Sequence, residues 1–364
     1  MTRSEAYLIL NALPLVGPVR VRRLREALGS VEAIFSESAS RLGQVEGIGR
    51  EAASSILNWQ EHFALDDELS QLEKNQWKFI DFEDRAYPGL LKEIYDPPLV
   101  LYLWGSPEAL SKTGIAVVGS RKTTYYGTET AKKLSYQMAY AGLSVNSGLA
   151  RGIDTAAHQG ALAAKGITHA VMGSSLDQIY PADNRALAEK IAHSGGALLS
   201  EFKLGTAPDR QTFPMRNRIV SGLSRASLVV EAGERSGALI TSKMALEQGR
   251  TVFAVPGRID SPESKGCHGL IKQGAKLVES VDDILEEFEF LFPQSATPEK
   301  RPMPDDLTEK EVKILSKMGS EEIQIDELIQ KCDLPSAAVS STLLRLEMRK
   351  LVKQLPGKTF VKTD

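Results

Sequence analysis

The sequence predicts an α/β protein in which a mainly parallel sheet is wound with helices and flanked by a helical segment on either side. Three observations carry that reading. Short apolar runs bounded by glycine recur between residues 114 and 280, and helix-forming segments separate them. Residues 1–65 hold only short helical patterns broken by turn signals. Near the end, "FPQSATPEKRPMPDD" mixes prolines and charges without periodicity and sets off a last helical block. The expected division is a helical domain at 1–65, the α/β domain at 66–290, a linker at 291–304 and a final domain at 305–364.

In the first segment, "LPLVGPVRVRRL" (13–24) and "VEGIGREAASSI" (45–56) look like two helix-hairpin-helix elements, whose glycine turns can present backbone amides to phosphate. Leu15 stands where the first hairpin would usually have glycine, so that one could serve packing alone. In the middle block "GIAVVG" reads as a buried parallel strand, followed by "LSVNSG", "THAVMG", "ALLSEF", "ASLVVEAG", "TVFAVPG" and "AKLVES". Segments such as "DTAAHQGALAAKG", "NRALAEKIAHSGG" and "SGALITSKMALEQG" supply the intervening helices. Together they predict a Rossmann-like sheet of about six or more strands. Residues 308–361 suggest three helices and a wing, hence a winged helix. That block is close to charge-balanced and its third helix opens with few base-reading residues, which leaves protein and DNA contact both open.

Composition fits a soluble, cytoplasmic, globular chain of 364 residues with 42% hydrophobic content. Its start has no long apolar segment or cleavage signal, and no membrane partner is expected. Cys267 and Cys332 lie far apart without ligand-spaced neighbours, against both a disulfide framework and a zinc site. No metal or cofactor is predicted. The net charge of −3 hides a segregation: residues 110–280 carry 21 basic and 13 acidic side chains, while 66–109 carry 4 and 10. A basic domain inside a mildly acidic chain points to a polyanion.

Ligands of such sheets gather beyond the carboxyl ends of the strands. There the chain offers Gly119-Ser120-Arg121, Ser147-Gly148 with Arg151-Gly152, Glu201-Phe202, and Glu231-Ala232-Gly233 leading to Ser236-Gly237. Glycines and serines expose N–H groups and hydroxyls at helix starts, and arginine adds charge-assisted bonds to phosphate. Any one glycine could merely serve a turn; the joint pattern favours a phosphate site. In "DRQTFPMRNR", Arg210, Phe213, Arg216 and Arg218 fall within nine residues. Cations that track a backbone around a ring that stacks on any base suit single-stranded nucleic acid. The competing reading makes Phe213 core and pairs the arginines with carboxylates. Helical spacing also turns Arg216 and Arg218 to different faces.

The blocks "AVVGSRKTTYYG", "SGLARGIDTAAHQGAL", "YPADNRAL", "LLSEF", "FPMRNRIVSGLS", "VVEAGERSGALITSKMALEQGR" and "VFAVPG", in this order over residues 75–280, resemble the DNA-processing protein A family (DprA, or Smf). The resemblance implies a non-enzymatic bacterial recombination mediator that binds single-stranded DNA, protects incoming DNA in natural transformation and loads RecA. It also implies a homodimer, an N-terminal domain likened to a SAM fold, and single-strand binding protein as a further candidate partner. By position, the family's phosphate-binding G-S-R falls on Gly119, Ser120 and Arg121. Its DNA pocket includes Arg210, Phe213, Arg216, Asn217 and Arg218. Ser174 and His268 depart from the usual glycine and asparagine, and His268 is expected to be a loop residue satisfied by backbone. The rival is a Rossmann-like nucleotide phosphoribohydrolase, which also places a glutamate near the sheet edge. Against it, P-G-G-x-G-T-x-x-E is absent and Glu231 has no obvious acid–base partner. A dinucleotide oxidoreductase would need the missing G-x-G-x-x-G.

Overall fold

A computed structural model describes residues 1–288, 307–318, 323–332, 334–348, 351–355 and 359–362. The expected linker at 291–304 lies outside the described residues. Two compact units result, Met1–Glu287 and Phe288–Asp364.

The first unit opens with helices α1 (Arg3–Ala12), α2 (Pro18–Leu28), α3 (Ala39–Leu42), α4 (Arg50–Leu57) and α5 (Leu65–Lys74). Thr2 and Glu5 form a capping box that starts α1, and Pro18 fixes the first turn of α2. The first hairpin turns through Leu15 at φ 61°, a left-handed conformation that glycine would adopt at lower cost. This helical region is not a separate core. Tyr7, Leu8, Leu24 and Ile56 share one apolar cluster with Val100, Tyr102, Ala170 and Leu198 of the sheet.

The sheet has nine strands: β1 (Lys78–Asp81), β2 (Val100–Gly105), β3 (Gly114–Val118), β4 (Ser144–Ser147), β5 (Thr168–Val171), β6 (Ala197–Ser200), β7 (Ala226–Val229), β8 (Thr251–Ala254) and β9 (Lys276–Leu277). Their spatial order is β1-β2-β6-β5-β4-β3-β7-β8-β9. From β6 to β9 every pairing is parallel, whereas β2 joins β6 and β1 joins β2 in antiparallel fashion. Alternation sends successive side chains to opposite faces. Tyr102, Ala170 and Leu198 meet the N-terminal helices, while Leu101, Leu103, Val171 and Leu199 form a second cluster with Leu91, Ile219 and Val220. The connecting helices are α6 (Gly89–Lys92), α7 (Tyr125–Tyr140), α8 (Ile153–Ala163), α9 (Arg185–His193), α10 (Thr212–Gly222), α11 (Ala238–Glu247) and α12 (Lys265–Lys272), with α13 (Asp282–Leu285) near the unit's end. His268 lies on α12 rather than in a loop, and its Nε2 is 3.0 Å from the Gly257 carbonyl.

The second unit folds α14 (Glu309–Lys317), α15 (Ile325–Cys332) and α16 (Ser336–Met348) against a three-stranded sheet of β10 (Ile323–Gln324), β11 (Val352–Leu355) and β12 (Thr359–Lys362), ordered β10-β12-β11. Ile314, Leu328, Val339, Leu343 and Phe360 fill its core, and the antiparallel β11–β12 pair is the wing of a winged helix.

Candidate nucleic-acid interface

Strand β3 lies between β4, which leads outward to β5 and β6, and β7, which leads the other way to β8 and β9. Loops leaving the carboxyl ends of β3 and β7 therefore diverge, and a crevice opens between them. Here it is a cleft of about 1070 Å³.

Gly119 begins its floor. A Cβ there would sit 2.8 Å from the Glu231 carbonyl oxygen and inside the Ile153 side chain. The following N–H, of Ser120, donates to that same carbonyl at 2.7 Å. From the other side Gly152, at φ 82°, packs so closely on the turn that its Cβ would lie 2.8 Å from the Arg121 carbonyl. The glycines thus let three backbone segments touch, and the touching aims residue 121 outward.

Arg121 is exposed and forms no ion pair among the described residues. Its guanidinium carbon lies 5.1 Å from the ring centroid of Phe213, within cation–π reach. Phe213 sits in the first turn of α10, where Pro214 is tolerated. Its half-buried ring rests against Gly173 and is 5.8 Å from the ring of Tyr180. Arg210 is exposed at the same rim.

Below them Arg216 is buried. It donates to the carbonyls of Gly148 and Val171, and through Nε to Asn217 Oδ1 at 3.2 Å. Burial lowers its pKa to about 10, so it keeps its charge at neutral pH. Asp154, whose own pKa is raised by burial and held back by Arg216, accepts N–H bonds from Gly148 and Ala150 at 3.1 and 3.3 Å. Arg216 thus fastens α10 to the ends of β4 and β5 and leaves a fixed positive charge under the cleft. Ser236 and Gly237 form the far wall at the start of α11. Basic lining residues are Arg121, Lys122, Arg210, Arg216, Arg235 and Lys265, against Asp154, Glu234 and Glu263, so the cleft attracts anions.

Four residues expected at the site are placed elsewhere. Ser147 is fully buried and spends its hydroxyl on the Val117 carbonyl at 2.6 Å. Arg151 is paired on the surface with Asp183 at 2.7 Å. Gly152 supports the turn from behind without lining the cleft. Arg218 points to the opposite side of α10, where it is buried between Glu201 at 2.6 Å and Asp96 at 2.9 Å. Conversely Lys122, Arg235 and Lys265 line the cleft without having been singled out. The first two adjoin G-S-R and S-G and were readable as neighbours; Lys265 arrives from a distant helix with no local signal.

Glu231 is buried at the end of β7 and caps α7: it accepts from the Thr124 N–H at 3.0 Å and from the Thr124 hydroxyl. A Cβ at Gly127 would strike that carboxylate. Its oxygens serve the helix start, and the residue does not line the cleft.

Residues 78–289 match the model of the DNA recombination-mediator protein A family, 298–358 the DprA winged helix domain, and 7–58 the SAM-like helix-hairpin-helix tandem. The chain belongs to the DNA recombination-mediator protein A family. Protein Smf of Synechocystis sp. is 36% identical, the match covering 99% of each chain. DNA processing protein A from Streptococcus pneumoniae superposes with a TM-score of 0.66 at 36% identity over 78% of this chain and 97% of that one. A Helicobacter pylori structure concerned with the single-stranded DNA binding mode of its DNA processing protein A gives 0.53 at 28%, covering 59% and 97%. Gly119-Ser120-Arg121, the Phe213 ring and the start of α11 are brought by this fold to one crevice.

Proposed function

We propose that this recombination-mediator chain holds single-stranded DNA in the cleft, with Arg121, Lys122 and Arg210 on backbone phosphates and Phe213 stacked on a base. The observation that carries the reading is an arginine with no carboxylate partner among the described residues, poised over a half-exposed ring at the switch point of the sheet. The Helicobacter pylori relative's single-stranded DNA binding supports the same ligand here. In this reading the bound strand is incoming DNA during natural transformation, a homodimer shields it, and RecA is loaded onto it. The protein acts by binding and carries out no covalent chemistry. The hydrolase alternative loses its glutamate, since Glu231 is committed to Thr124. The test is fluorescence anisotropy with labelled oligothymidine and a duplex of equal length. Tight binding of the single strand and weaker binding of the duplex are expected; equal binding of both would contradict the reading.

A further inference from the structure

Helix α7 leaves the cleft directly after Arg121 and Lys122, and one face of it is rich in exposed tyrosine. Tyr125, Tyr126, Tyr136 and Tyr140 are all exposed, Tyr125 by 83% and Tyr140 by 77%. At 100° per residue these four, together with Glu129, Lys132 and Lys133, fall on a single stripe about 120° wide. Tyr136 and Tyr140 stack on each other with ring centroids 6.3 Å apart and planes 5° from parallel. Tyr126 anchors the near end by donating its hydroxyl to the Pro256 carbonyl at 2.8 Å. The only acid on the helix, Glu129, is paired with Lys132 at 3.1 Å, and Lys133 has no ion pair among the described residues. The opposite face, including Ala131, Leu134 and Met138, is buried.

We infer that this tyrosine–lysine ridge is a second stretch of the single-strand path, along which DNA leaving the cleft runs with bases on the rings and phosphates on the lysines. Aromatic rings interleaved with cations are what sequence-tolerant strand binding uses. A protein partner fits less well, because lysine is depleted where such interfaces are buried. Continuity decides the occupant: the ridge begins four residues after Arg121 and extends about 22 Å from Tyr125 to Tyr140.

The inference rests on the single-strand reading of the cleft, and oligomer length separates the two. Single-strand sites commonly span about 4–16 nucleotides, so oligothymidines of about 5 and about 16 nucleotides are compared on the full chain. The paired change Tyr136→Ser with Tyr140→Ser alters exposed side chains, and thermal unfolding checks that the fold is kept. Affinity for the long strand should fall at least about tenfold while the short strand binds as before. Lys133→Glu should produce the same length-dependent loss. Unchanged binding of the long strand, equal loss on both strands, or a change of oligomeric state on light scattering would each overturn the ridge as a DNA path. Failure of the unaltered protein to bind either strand would overturn the cleft reading and the ridge with it.

Discussion

Arg121, Arg216 and Arg218 show how the same side chain takes three roles within one domain. Arg121 is exposed and has no carboxylate partner among the described residues, so Arg121→Ala should leave stability within about 0.5 kcal/mol while binding falls for all single strands alike. Arg218 is buried against Glu201, and burial pushes that carboxyl up in pKa while Arg218 pulls it back. Arg218→Met would strand Glu201 and should cost about 3–5 kcal/mol in urea denaturation, with binding intact once the unfolded fraction is allowed for. Arg216 couples both roles, since its loss frees two carbonyls at the strand ends as well as a charge under the cleft. The sequence separated Arg216 from Arg218 by helical phase, yet which of them met a carboxylate depended on Glu201 and Asp96, contributed by distant segments. Phe213 lay between the two expected extremes. Its ring is half-buried, so Phe213→Ala should cost about 1–3 kcal/mol of binding, and less than the about 3–5 kcal/mol of folding stability that a fully buried phenylalanine would lose. Phe213→Trp should keep most of the binding.

Among the elements, β3 was the most legible because its apolar run is buried on both faces, and its glycine turn proved to be a packing device that sets Arg121. Gly119→Ala should push Ile153 and the Glu231 strand end apart, costing about 1–3 kcal/mol by denaturation and weakening DNA binding through displacement of Arg121. Strands β1 and β2 were harder to foresee. β1 has four residues of mixed burial, and both join the sheet antiparallel, ahead of the strand–helix alternation that marked the others. Strand β9 is shorter than "AKLVES" suggested, and a short strand at the sheet edge leaves less unpaired backbone exposed. The first hairpin keeps the turn shape that glycine favours even with Leu15 in it, so local composition alone understated the motif.

At the scale of the molecule, the N-terminal helices and the sheet share a core, and a fragment meant to retain function should run from Met1 to Glu287. That fragment should be a homodimer by light scattering at micromolar concentration, and a monomer would count against the proposed dimer. Two buried histidines make its stability depend on pH. His158 and His169 are buried, and burial lowers their pKa to about 3 and about 4. Unfolded histidine titrates near 6.5, so between about pH 6.5 and 4 the unfolded chain binds protons that the folded one excludes, and stability falls as pH falls. His169→Gln should reduce that slope by up to about 1.4 kcal/mol per pH unit, read from urea midpoints at pH 6 and pH 5. The central claim is that Arg121 grips a phosphate of a single strand in the cleft. Its most direct measurement is the salt dependence of oligothymidine binding by the unaltered chain and by Arg121→Ala. A log–log slope that is shallower by about 0.7 in the variant, with weaker binding, is the predicted result. An identical slope and affinity would contradict it.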